Sequence, residues 1–141
     1  MMAASARAAI LAFLCFVTVR FASMSALAGD EPHYLVLAQS LLTDHDLKVA
    51  NNYARGDYHA YYSGDLYPHL TGLDDVRMKR YSQHAPGVAL LIAPVFAIGG
   101  HWAVVVFVAA LVAVGTGFVW QAAFLLTRDE GAAWFGWRRS R

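Results

Sequence analysis

"APGVALLIAPVFAIGGHWAVVVFVAALVAVGTGFVWQAAFLL", residues 85–126, carries no Asp, Glu, Lys or Arg over its whole length. It is too long for one bilayer crossing, which needs about 20 apolar residues, and Gly99-Gly100 is its natural break. Beyond the break, Trp102 to Leu126 supplies 25 uncharged residues, enough for a membrane span. Before it, Pro86 to Ile98 supplies only 13 and includes Pro94. A helix of that length reaches about 20 Å, short of a hydrocarbon core of about 30 Å. The segment 86–98 is therefore expected to be a juxtamembrane or re-entrant helix buried against protein.

A second apolar stretch opens the chain, from about Ala8 to Ala28, also long enough to span. Arg20 interrupts it, and an arginine inside a span costs roughly 2.5–3.5 kcal/mol, so its side chain is expected to snorkel to the interface. An alternative reading makes residues 1–28 a cleaved signal peptide, with Arg7 as n-region and Ala26-Leu27-Ala28 as an A-x-A cleavage site.

Composition and charge agree with a membrane protein. Of 141 residues 58% are hydrophobic, more than the roughly half of a soluble domain. Residues 29–101 hold eight of the ten acids and five of the eleven Lys/Arg, a net −3, while the flanks are +4. With two spans, Arg7 and the tail "WRRSR" share the cytoplasmic side and the acidic middle lies outside. Three spans, the alternative, would export the arginine-rich tail. The expected fold is thus an all-α, multi-pass protein of the cell membrane. Its segments are a transmembrane helix in 1–28, an external loop at 29–101, a transmembrane helix at 102–127 and a cytoplasmic tail at 128–141. No basic run interleaved with aromatics argues for nucleic acid, and a single cysteine, Cys15, excludes a disulfide framework.

The middle segment holds all seven tyrosines and all six histidines. From Pro32 to Leu42 the apolar positions Tyr34, Leu35, Ala38, Leu41 and Leu42 fall at helical spacing, predicting an amphipathic helix over about 32–43 that lies along the membrane surface. Asp30 or Glu31 can cap it, with Pro32 in the first turn. The stretch "TDHDLKVANNYARGDYHAYYSGDLYPHLTGLDD" reads as ordered loops with at most short strands. An acid pair where a helix leaves the membrane can take a proton from an acceptor hydroxyl or hold a divalent cation against a phosphate. It can equally do no more than cap the helix. His84, in "YSQHAPG" (81–87), can bind a phosphate or sugar hydroxyl or carry a proton; it can also simply cap a turn. The histidines at 33, 45, 59, 69, 84 and 101 fit no ligand-spacing template, so no metal site is assigned to them.

The order of these features carries a resemblance. "GDEPHYL" ends the first span, "VLAQSLL" and "TDHDLKVANNY" follow, and "YSQHAPGVALLIAPVFAIGG" leads into a long second span ending "LLTRDE". This resembles the N-terminal part of GT-C superfamily membrane glycosyltransferases, in particular the protein O-mannosyltransferase-like and aminoarabinose-transferase-like branches. The resemblance implies a polyprenyl-phosphate-linked sugar as donor, an acceptor of unspecified identity, and a site on the outer face of the bilayer. By position Asp30 matches the catalytic acid of the first external loop and Glu31 its neighbour. Pro86 and Gly87, preceded by His84, match a proline element, with His-Ala-Pro-Gly where the family pattern has His-Pro-Pro. Together with Tyr34 these are the implied substrate contacts. A divalent metal is a possible cofactor, supplied largely from outside these residues. Family members have many more spans, so the chain reads as a fragment that is inactive alone. The competing reading is a small non-catalytic membrane protein whose external loop binds a partner.

Overall fold

The computed structural model describes residues 2–23, 27–71 and 81–135. Ala26 of the A-x-A motif and the tail arginines 138, 139 and 141 lie outside the described residues. The chain is mostly helical. Its elements are α1 (Met2–Ala22), α2 (Glu31–Thr43), α3 (Ala50–Arg55), a 3-10 turn (Asp57–Ala60), β1 (Leu70–Thr71), β2 (Tyr81–Ser82), α4 (Pro86–Thr127) and α5 (Glu130–Phe135). They form two compact units, one drawn from residues 1–24 and 105–141, the other from 25–104.

Two helices, α1 and α4, are long and apolar enough to cross a membrane. α1 has no Gly or Pro to break it, and its 21 residues reach about 32 Å. Ile10, Leu11, Leu14, Phe16, Val19 and Phe21 are all exposed on it, the pattern of a helix apolar all round. Arg20 falls in its last turn, where a long side chain can reach an interface. α4 is interrupted where the sequence predicts. Gly99 (φ −146°, ψ 22°) and Gly100 (φ 62°, ψ −157°) leave the helical region, and the positive φ of Gly100 is one that a side chain would resist.

In the first unit, small residues let α1 and the second part of α4 approach closely. A Cβ added at Gly117 would stand 3.1 Å from the Ser5 carbonyl oxygen and 3.3 Å from the Ala9 Cβ. Ala8, Trp120 and Ala133 form the adjoining core, and Trp120 stacks on Phe124 at 5.6 Å. Beyond α4 the tail is not simply extended. Arg128 takes φ 55°, and the Asp129 carboxylate accepts a hydrogen bond from the Ala132 N–H at 3.1 Å, an N-cap that starts α5.

The second unit is built around α2, and here the structure corrects the sequence reading. Leu35, Val36, Leu37 and Ala38 are all buried, four in succession, along with Pro32, His33 and Ser40. Buried on four consecutive positions, it is more enclosed than the one-sided stripe of an amphipathic surface helix; it is the central helix of this unit. Its apolar cover comes from Val49, Tyr53, Tyr58 and Leu66, and from Ala89, Ile92 and Ala93 at helical spacing on the first part of α4. Within 86–98 these three residues form the buried face, while residues 86–88, Leu90, Leu91, Pro94, Ala97 and Ile98 are exposed.

The 44–60 region, expected to be loop, contains α3 and the 3-10 turn, held by polar contacts rather than by an apolar stripe. One Arg55 nitrogen lies 2.8 Å from Asp44 and 2.7 Å from Asp57. The amide of buried Asn52 donates to both carboxylates at 2.9 Å. Hydrogen bonding from Arg55 holds the Asp44 carboxyl below its usual range. The fully buried Ser40 hydroxyl donates to the Asp46 carbonyl at 3.1 Å, pinning the following loop to α2.

The close approach at Gly117 makes a prediction. Gly117→Leu should push α1 from α4 and lower stability by about 1–3 kcal/mol, read as a fall in thermal midpoint in detergent. Gly115→Leu, at a position with nothing within 4 Å, should leave the midpoint nearly unchanged.

Candidate functional site

The entry to α2 sets the site. Gly29 turns with φ 59°, and because nothing crowds its Cα, it is backbone conformation that favours glycine there. Asp30 follows in the N-cap position, but with φ −85° and ψ −9°, already helical, and its side chain makes no cap hydrogen bond. The amides of the first turn account for this. The Glu31 N–H donates to the Ala28 carbonyl at 3.3 Å, Pro32 has no N–H, and the His33 and Tyr34 N–H groups donate to the Asp30 carbonyl at 3.1 and 3.2 Å. With these donors satisfied by backbone, none is left for a capping carboxylate. Glu31 instead accepts from the Ala28 N–H at 3.4 Å. Both acids are exposed.

One turn into α2, His33 is 4% exposed. Its Nδ1 lies 2.6 Å from the Tyr53 hydroxyl, a buried link between α2 and α3. Its ring stacks on His69 at 3.8 Å and 14° and lies 5.3 Å from His84. His84 in turn packs against Tyr34 at 5.1 Å, and its Nε2 lies 3.2 Å from Nδ1 of His69. Strand pairing brings the last two histidines together. Leu70 pairs with Ser82 and Thr71 with Tyr81. The ladder gains one more bond as the Gln83 N–H donates to the His69 carbonyl at 3.0 Å, while the His84 N–H donates to the Ser82 hydroxyl at 3.0 Å. One nitrogen from each of His33, His69 and His84 falls within 4.8 Å of the others.

Burial, and then the neighbouring His69 and His84, push His33 down to about 4; Asp30 acts in the opposite direction. Burial lifts the Tyr53 phenol to about 12, against a backbone hydrogen bond with His69. His33 is thus a neutral imidazole with one nitrogen engaged by a neutral phenol. Neutral imidazole is the form that binds metal, and among the described residues of this unit these three histidines form a group that could hold a metal ion.

Of the residues singled out from the sequence, Tyr34 and His84 are brought together. Asp30 stands three residues before His33, on the same face of α2. Pro86 and Gly87 open α4 and are exposed; no further contact ties them to the group. The sequence offers His33, with Asp30 and Glu31, as a ligand only with a partner from elsewhere; the grouping with His69 and the role of Tyr53 are not visible in it. The available signal is proline: Pro32-His33, Pro68-His69 and His84-Ala85-Pro86 use three of the four prolines in the chain. No protein-family model, curated protein or solved structure matches this chain.

The depressed His33 value sets a pH dependence. The unfolded chain takes up a proton near 6.5, but the folded chain keeps His33 neutral down to about 4. Between those values the unfolded state binds more protons, so stability falls as pH falls through that window and is unaffected by His33 above it. In chelator-containing detergent buffer, the thermal midpoint should drop from pH 6.5 to 4, and His33→Asn should flatten that drop. An unchanged slope in the variant would remove His33 as its source.

Proposed function

We propose that this chain is the N-terminal part of an integral-membrane glycosyltransferase, taking a sugar from a polyprenyl-phosphate donor and passing it to an acceptor hydroxyl on the outer face of the membrane. The observation that carries the reading is convergence. The acid element at 30–31 and the His-Ala-Pro-Gly element at 84–87 are more than 50 residues apart in sequence. Asp30 stands three residues before His33 at the start of α2, and the His33 ring lies 5.3 Å from that of His84. Asp30 is suited to act as base because the backbone leaves its carboxylate unspent.

In this reading α1 and the second part of α4 cross the cell membrane, and 29–101 faces outward. Asp30 takes the proton of the acceptor hydroxyl, or orients it. The acceptor oxygen attacks the anomeric carbon and polyprenyl phosphate leaves, inverting that carbon. Tyr34 and His84 line the approach, and Glu31 steadies the turn that presents Asp30.

Membranes from cells expressing the native locus, given a donor with a labelled sugar, should form labelled acceptor and free polyprenyl phosphate. Asp30→Asn should cut transfer by about 100-fold or more, the range of a lost general base, with the amount of chain in the membrane unchanged. Near-normal transfer by the variant overturns the role of Asp30, and no transfer by the wild type overturns the activity. Topology is checked separately. With Cys15 replaced by Ala, a cysteine at Tyr67, which is 83% exposed, should react with an impermeant maleimide on intact cells.

A further inference from the structure

We infer that His33, His69 and His84 form a binding site for one divalent transition-metal ion of the zinc class, with three imidazole ligands and a fourth position left for water. The inference concerns metal binding alone and stands whether or not the chain transfers sugar.

The donor set decides the class of ion. Imidazole nitrogen suits zinc, copper, iron and nickel, whereas magnesium and calcium demand oxygen. Among the described residues no carboxylate belongs to the group. Geometry is close to what an ion needs. Two nitrogens bound tetrahedrally at 2.0–2.1 Å stand about 3.3 Å apart, and His69 Nδ1 and His84 Nε2 already lie 3.2 Å apart. That separation is at the long end for a hydrogen bond between nitrogens. An ion would take both lone pairs, and the proton now shared by the two rings would move to the other nitrogen of its own ring. The three ligand atoms lie within 4.8 Å of one another, so the set has to close by no more than about 1.5 Å to reach tetrahedral spacing.

The surroundings are those of a held ligand set. His33 is fixed by the Tyr53 hydroxyl at Nδ1, which leaves Nε2 for the ion. A partner on the far nitrogen is what orients a coordinating histidine and selects its tautomer. His84 is positioned by its N–H bond to the Ser82 hydroxyl, and His69 by the ladder bond through its own carbonyl. His33 is buried while His69 and His84 are half-buried, so an ion has a route in from solvent and a side open to water. Three protein ligands with an open position are the arrangement of ions that do chemistry rather than merely brace a fold.

The test is direct binding of Zn²⁺ by the full chain in detergent, stripped with a chelator and titrated against a chromophoric zinc indicator. One Zn²⁺ per chain is expected, undisturbed by millimolar Mg²⁺. Affinity should fall by about 10- to 100-fold in Tyr53→Phe, the usual cost of losing an outer partner, and further in His69→Ala and in His84→Ala. His45→Ala, outside the group, should bind as the wild type does. Co²⁺ in place of Zn²⁺ should give the intense visible absorption of a tetrahedral site, lost in His84→Ala. Circular dichroism of each variant separates a lost ligand from a lost fold. Wild-type binding no tighter than that of a folded His69→Ala or His84→Ala overturns the site, as does displacement by Mg²⁺.

Discussion

A helix buried at most of its positions governs the second unit. Val36 and Ala38 are fully buried and Leu37 is 1% exposed, so α2 must be covered from several directions at once. The covering elements are poor structures on their own. α3 has six residues, the 3-10 turn four, and the two strands two each, all far below the length at which a helix or hairpin persists alone in water. They exist because they close over α2. The site inherits this dependence, since His33 rides on the buried helix and Tyr53, His69 and His84 on its cover.

The first unit presents a different kind of surface. Along the second part of α4, Leu111, Val112, Val114, Phe118, Val119, Leu125 and Leu126 remain exposed, as do the large side chains of α1. Such continuous apolar surface is costly in water and neutral in hydrocarbon, where every backbone group is already satisfied within the helix. In hydrocarbon, two such helices would be held together by close contact rather than exclusion of water, and Gly117 allows that contact where it meets Ser5 and Ala9. The two units thus cohere for opposite physical reasons, one by burying Leu and Val and the other by removing side chains at a crossing.

How much of this was legible in the sequence follows from the range of the interactions concerned. The long apolar helices and their break at Gly99-Gly100 are local patterns, and composition reports them. The existence of α2 was legible too, but its surroundings were not. The run Leu35-Val36-Leu37-Ala38 was read for its amphipathic positions, and its unbroken apolarity, which marks burial beyond one face, was passed over. α3 escaped because "ANNYAR" has no apolar stripe; it depends on Arg55 meeting Asp44 and Asp57 across as many as eleven residues. The histidine group escaped for a related reason. Spacing templates describe ligands on one local element, whereas these three histidines stand on a helix, before a strand and after another, and only the pairing of 70–71 with 81–82 makes them neighbours.

Asp30 illustrates how backbone accounting can decide what a side chain is free to do. An aspartate before a helix ordinarily spends its carboxylate on the second or third amide of the first turn. Here proline removes one of those amides, and the tight turn at Gly29 and Asp30 consumes the others through carbonyls. The acid at the start of α2 is therefore redundant for capping, and fold stability alone gives no reason for a carboxylate rather than an amide there. Glu31, by contrast, is occupied by the Ala28 N–H. The adjacent acids thus divide, one fastening the turn and the other left beside a group of imidazoles whose burial holds His33 neutral. A free carboxylate three residues from a neutral, phenol-anchored imidazole is an arrangement that chemistry can use and that packing does not require. In the proposed reading, that asymmetry is the ground for assigning the base to position 30 rather than 31.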